Sequence, residues 1–69
     1  MALAIAASIS PREQEILQSL SAGLSNREIA DLYSISASTV KTHLENIFRK
    51  LGVNSRTQAI AQAQTLNLV

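Results

Sequence analysis

The stretch "TVKTHLENIFRKL", Thr39 to Leu51, settles the fold and raises a question about charge. Most of the chain's cations lie in or beside it, with Lys41, Arg49 and Lys50 inside and Arg56 just beyond, yet an acid, Glu45, stands among them. On a helical wheel at about 100° per residue, Val40, Leu44, Ile47 and Leu51 gather on one side, with Phe48 at its edge. That side is the expected core face. Ser38, Thr42, Glu45 and Arg49 fall opposite, with Lys41 beside them. This outer strip consists of hydrogen-bond donors and acceptors, two of them cations. A purely solvated face has the same look, with Glu45 pairing Lys41 and Arg49 one turn away on either side, for a few tenths of a kcal/mol.

The flanks of this stretch carry the punctuation of helices. Ser36 is the expected N-cap and Gly52 the stop, giving a helix over 37–51. "SPRE" at Ser10 to Glu13 reads as a helix start, with a serine cap, proline at the first helical position and a capping-box glutamate. Ile9, Ile16, Leu17, Leu20 and Leu24 follow at helical spacing, and Gly23 ends that helix, over 11–22. "SNRE" at Ser25 to Glu28 repeats the box and opens a helix over 26–33 carrying Ile29, Ala30, Leu32 and Tyr33. "SRTQ" at Ser55 to Gln58 is a third box and opens a helix over 56–66, with Ala59, Ile60 and Ala63 as its core side. No β-branched run alternates with polar residues, so strands are not expected.

The fold class is therefore all-α, with four helices. The second and third are joined by about three residues, "SIS", and the third is longer and more basic, which describes a helix-turn-helix. Any small bundle with tight turns shares that outline. The outer strip of the third helix favours the helix-turn-helix.

Sixty-nine residues support one domain with one small core and no deep cavity. Residues 9–69 are assigned to it, and 1–8 to an N-terminal linker or extra turn. "MALAIAASIS" is too short to span a bilayer and lacks the basic start of a signal peptide, so no membrane partner is expected. There is no cysteine, which excludes disulfides and thiolate metal sites and suits a reducing cytoplasm. His43 is the only histidine, so neither a metal site nor a catalytic triad assembles, and no cofactor or enzymatic activity is expected. With two aromatics, Tyr33 and Phe48, a stacking platform for single-stranded bases is also excluded. Net charge is only +1, but its distribution is uneven. Residues 1–36 hold two bases against four acids, or −2, and residues 37–69 hold four bases against one acid, or +3. The asymmetry points to one anion-facing side.

The pieces "SPREQEIL", "GLSNREIA", "ISASTVKTHLENIFRKLGV" and "SRTQAI" together resemble the LuxR-type (GerE-like) helix-turn-helix domain of bacterial transcription regulators. Each piece alone is weak, but all four occur in the family's order and spacing, from Ile9 to about Ala63. The tail "AIAQAQTLNLV" with the "VKTHL" form of the third helix looks most like the large ATP-dependent maltose-regulator-type activators. The resemblance implies a cytoplasmic bacterial protein that binds double-stranded DNA as a homodimer, with its third helix in the major groove. It implies base contacts from Lys41, Thr42 and Glu45. Phosphate contacts are implied at Ser38 and Arg49, and at the helix starts formed by Ser25, Asn26 and Arg27 and by Ser55 and Arg56. A structural role for Arg56, bonding back to the third helix, is the alternative. The chain departs from the commonest family pattern at Glu45, where many members carry a base or a small polar residue. The fourth helix commonly supplies the dimer contact, and its outer side here is the uncharged strip Gln58, Ala61, Gln62 and Thr65. The competing function is a helical protein-interaction module that docks on RNA polymerase or another regulator.

Overall fold

The computed structural model describes residues 8–69, so the linker or extra turn expected at 1–8 lies, apart from Ser8, outside the described residues. Four helices make up this part of the chain: α1 Pro11–Ser21, α2 Asn26–Tyr33, α3 Ala37–Leu51 and α4 Arg56–Thr65. No strand occurs among the described residues. The expected bounds hold except that α1 and α4 each stop one residue early, at Ser21 and Thr65.

Each of the four helices starts on a serine whose hydroxyl accepts an N–H that has no partner within the helix. Ser10, Ser25, Ser36 and Ser55 accept from the backbone N–H of Glu13, Glu28, Thr39 and Gln58 respectively. The reciprocal arm of the capping box closes in two of them. Ser10 N donates to Glu13 Oε1 at 2.9 Å, and Ser25 N donates to Glu28 Oε1 at 2.8 Å. The third expected box is different. Gln58 Oε1 accepts from Asn54 N at 2.8 Å, one residue before the cap, so its side chain ties down the incoming loop instead.

All four helices also end alike. Gly23, Ser34, Gly52 and Asn67 take positive φ, and the next residue in each case turns its N–H back onto a helical carbonyl. Leu24 N donates to Ser19 O at 3.1 Å, Ile35 N to Ala30 O at 2.9 Å, Val53 N to Phe48 O at 3.0 Å and Leu68 N to Ala63 O at 2.8 Å. This is the Schellman closure, in which the apolar residue after the left-handed one folds onto the helix it has just left. Leu68 is thereby buried at 7% exposure, and its carbonyl accepts from Gln14 Nε2 of α1. The two glycine stops were expected. Ser34 and Asn67 were not, because neither is a default left-handed residue.

The core joins Ile16, Leu17 and Leu20 of α1, Ile29 and Ala30 of α2, Val40, Leu44, Ile47 and Leu51 of α3, and Ala59 and Ala63 of α4. Ile9 and Leu68 close it from the flanks. Burying a large aliphatic side chain stabilises by about 1.5–3 kcal/mol, against about 1 kcal/mol for a serine cap. Packing therefore supplies most of the stability, and the caps set where each helix begins. Leu24, Phe48 and Ile60 pack only partly against the core, and Leu32 of α2 is 59% exposed and lies outside it. Tyr33 fastens α2 to α1, since its hydroxyl donates to Glu15 O, meets Ser19 Oγ at 3.2 Å, and its ring lies under the Arg12 guanidinium. α2 packs on α3 and α1, and α4 packs on α1 and α3, while α2 and α4 share no packed face.

Candidate nucleic-acid interface

With Val40, Leu44, Ile47 and Leu51 buried, geometry turns the opposite side of α3 outward. Ser38, Lys41, Thr42, Glu45 and Arg49 are all exposed there, as the wheel predicted. At the start of α3, Ser36 Oγ meets Thr39 Oγ1 at 2.8 Å and Ser38 Oγ at 3.0 Å, a small hydroxyl cluster around the cap. Thr42 Oγ1 donates to Ser38 O at 3.1 Å. Its one proton is thus used inside the helix, leaving an oxygen lone pair and a methyl group.

The pairing of Glu45 with Lys41 and Arg49 does not form. Arg49 Nη1 instead donates to Asn46 Oδ1 at 3.2 Å, three residues back. Among the described residues the one ion pair joins Lys50 to Glu13, so the Glu45 carboxylate and the Lys41 ammonium stand without a partner on the strip. The reason is that exposed pairs gain little and cost the freedom of two long side chains.

Lys50 belongs to a different structure. Its Nζ donates to Glu13 Oε1 at 2.7 Å and to Ser8 O at 2.8 Å, joining the last turn of α3 to the start of α1. Burial pushes the Glu13 carboxyl up, but the Lys50 hydrogen bond, the Ser10 N–H, the Lys50 charge and the Ser10 hydroxyl outweigh it. The net effect holds Glu13 below its ordinary value. A cation in the basic segment of the sequence is therefore neutralised within the fold, and the outer strip keeps only Lys41 and Arg49.

The starts of α2 and α4 carry the remaining residues at which phosphate contacts are expected. At α2, Ser25 is exposed, Asn26 half-buried and Arg27 exposed. Closure of the box leaves the N–H groups of Asn26 and Arg27 without an acceptor inside the helix. The same box places an acid there. Glu28 is held below its ordinary value by the Ser25 N–H and then the Ser25 hydroxyl, so it remains anionic. At α4 the first turn contains no acid.

Arg56, at the start of α4, does not bond back to α3. Its Nη1 donates to Leu24 O at 2.9 Å and its Nη2 to Asn26 Oδ1 at 2.7 Å, so it reaches the turn before α2 and the first residue of α2. Sequence spacing carried no signal for this link, since the partners lie 32 and 30 residues away.

On the outer side of α4, Gln58, Ala61 and Thr65 are exposed and Gln62 is half-buried. Two of their polar groups are internally engaged: Gln58 with Asn54, and Thr65 Oγ1, which donates to Ala61 O. What remains outward is small and uncharged. His43 is half-buried between core and surface.

This geometry has known counterparts. The family model GerE, described as bacterial regulatory proteins of the luxR family, matches residues 7–63. The probable csgAB operon transcriptional regulatory protein of Salmonella typhimurium is 56% identical over 52 residues, 75% of this chain and 24% of that protein. The response regulator protein VraR of Staphylococcus aureus is 48% identical over 61 residues, 88% of this chain and 29% of that protein. Among solved structures, the transcription factor GerE superposes with a TM-score of 0.81 at 39% identity, covering 86% of this chain and 88% of that one. The response regulator ChrA of a heme-sensing two-component system gives 0.87 at 53% identity, covering 90% of this chain and 31% of that one. The chain thus spans about a quarter of the length of the curated relatives it matches. On the extent of the family match, and on agreement in both sequence and fold, this chain belongs to the luxR family of bacterial regulatory proteins.

Proposed function

We propose that this domain binds duplex DNA sequence-specifically, in the service of transcription regulation in the bacterial cytoplasm. The observation that carries the reading is the outer strip of α3. Its side chains are exposed, Lys41 and Glu45 are unpaired, and the other side of the helix is locked into the core. A helix of this kind fits a major groove about 12 Å wide. Lys41 donates to guanine O6 and N7, and Glu45 accepts from a cytosine amino group. Thr42, its proton spent on Ser38, offers its methyl to a thymine or its lone pair to an amino group. Ser38 and Arg49 meet phosphate, as do the α2 start at Ser25, Asn26 and Arg27 and the α4 start at Ser55 and Arg56.

Two copies pair on DNA through the strip Gln58, Ala61, Gln62 and Thr65, where small uncharged side chains permit close helix approach. Ala61→Glu is expected to abolish cooperative binding to a two-half-site operator, and unchanged cooperativity removes this face from the dimer. For the subfamily, the tail pattern supports a maltose-regulator-type activator.

The second reading, a module docking on RNA polymerase or another regulator, is favoured by the net charge of +1 and by the neutralisation of Lys50. A mobility shift on random duplex DNA separates the two. Phosphate-driven binding is expected at low salt and fades as salt rises. A folded domain with no shift at low salt overturns the DNA reading.

A further inference from the structure

We propose that Arg56 is a positioning residue for phosphate binding at the start of α2, acting through the side-chain amide of Asn26; the proposal rests on the DNA-binding reading above. α2 and α4 share no packed face, yet Arg56 bridges their first turns with two hydrogen bonds, 2.9 Å to Leu24 O and 2.7 Å to Asn26 Oδ1. A guanidinium carries donors only, so the amide of Asn26 has to present its oxygen to Arg56. The two N–H groups of that amide then face away from Arg56 and have no partner within the described residues. The same helix start carries the first-turn N–H groups of Asn26 and Arg27, which the Ser25–Glu28 box leaves open.

The result is a set of side-chain and backbone donors of one polarity, next to the Arg27 cation. Phosphate oxygens take hydrogen bonds from asparagine amides and helix N-termini alike. If the amide turned over, its oxygen would repel phosphate and its N–H groups would oppose the guanidinium. Arg56 prevents that rotation, and through Leu24 O it fixes the turn that carries Ser25. The Glu28 carboxylate at the same helix end works against an anion, which makes the orientation of the remaining donors more important. The role differs from direct charge contact, because it depends on the forked geometry of arginine and not on its charge.

Arg56→Lys separates the two, since it keeps the charge and loses the fork. Affinity for one duplex is measured across a salt series for the wild type, Arg56→Lys, Asn26→Ala and the double variant, each shown to be folded at the measuring temperature by circular dichroism. Each single change is expected to weaken binding about 3–10-fold, the value of one hydrogen bond. Arg56→Lys should leave the salt slope unaltered. The double variant should be weakened by clearly less than the product of the two single effects, because Arg56 acts in large part through Asn26. A structural role alone would lower melting temperatures without this coupling in affinity. Wild-type affinity in Arg56→Lys, or effects that multiply in the double variant, overturns the proposal. A wild type that binds no duplex at low salt overturns the DNA reading and this proposal together, whereas uncoupled variants of a wild type that binds overturn this proposal alone.

Discussion

Lys41 and Lys50 are carried by one helix and bear the same charge, but they inhabit different environments. Lys41 is exposed on the outer strip with no ion pair, whereas Lys50 is held 2.7 Å from a carboxylate that is almost fully buried. The acids near them differ in the same way. Glu13 is engaged by Lys50 and by the Ser10 N–H, while Glu45, one turn from Lys41, is engaged by nothing. The outer strip of α3 thus leaves its charges open to solvent, whereas Lys50 in the last turn is spent on joining α3 to α1. Burial decides between the two. An ion pair with one desolvated member and extra hydrogen bonds persists, and an exposed pair at helical spacing gains too little to hold its side chains.

The strongest challenge to this contrast is removal of the buried carboxylate. Glu13→Ala leaves the Ser10 N–H without its acceptor and Lys50 without its counter-charge, and is expected to lower unfolding free energy by about 2–3 kcal/mol, a buried-pair cost reduced because Lys50 is partly solvated and keeps Ser8 O. Urea denaturation checks it, and a loss below about 0.5 kcal/mol would mean that the Glu13–Lys50 link contributes little.

The two lysines can next be compared directly. Lys41→Met is expected to reduce the slope of log affinity against log salt by about 0.9 and to relax preference at one base pair by about 2 kcal/mol. Lys50→Met should lower stability and leave the slope as it was. Equal slopes for the two variants would erase the distinction between the two lysines.

Glu45→Ala addresses the acid side of the same contrast. Affinity for random DNA should equal or exceed that of the wild type, because an unpaired carboxylate near phosphate is repulsive. Preference at one base pair should relax by about 1 kcal/mol, the low end for a direct contact. Selection from a random duplex library reads both effects. Uniform weakening on every sequence would instead make Glu45 an aid to Lys41 and Arg49.

The smallest effect is the pH dependence of the buried carboxylate. Glu13 is held below its ordinary value of 4.5 in the folded chain, so its contribution is complete above that pH and is lost as pH falls through the lower folded value. Melting temperature should therefore drop on acidification below about pH 4.5, and drop less in Glu13→Gln. Glu28 titrates in the same direction but is fully exposed, so it remains as a weaker background. An identical acid profile in Glu13→Gln would assign the loss to other groups.

Local chemistry made much of the fold legible in advance. Serine caps, capping-box glutamates, glycine stops and apolar periodicity act within about one helical turn, so their consequences appear in the sequence at fixed offsets. The four helices, the buried side of α3 and its exposed strip came from those offsets. Ser34 and Asn67 escaped because a left-handed stop at a residue other than glycine depends on the residue after it. In both cases that residue is apolar, Ile35 or Leu68, and the core draws it inward.

The order of residues along the chain was enough to identify the elements and the apolar face of each. How the charges are used was settled only in three dimensions. Lys50 meets Glu13 across 37 residues, and Arg56 meets Asn26 across 30. Pairs that are distant along the chain have no periodic signature, and they form where packing brings helix ends together. Desolvation of Glu13 makes the first of them durable, while the nearby pair that spacing suggested for Glu45 stays open to water and does not form.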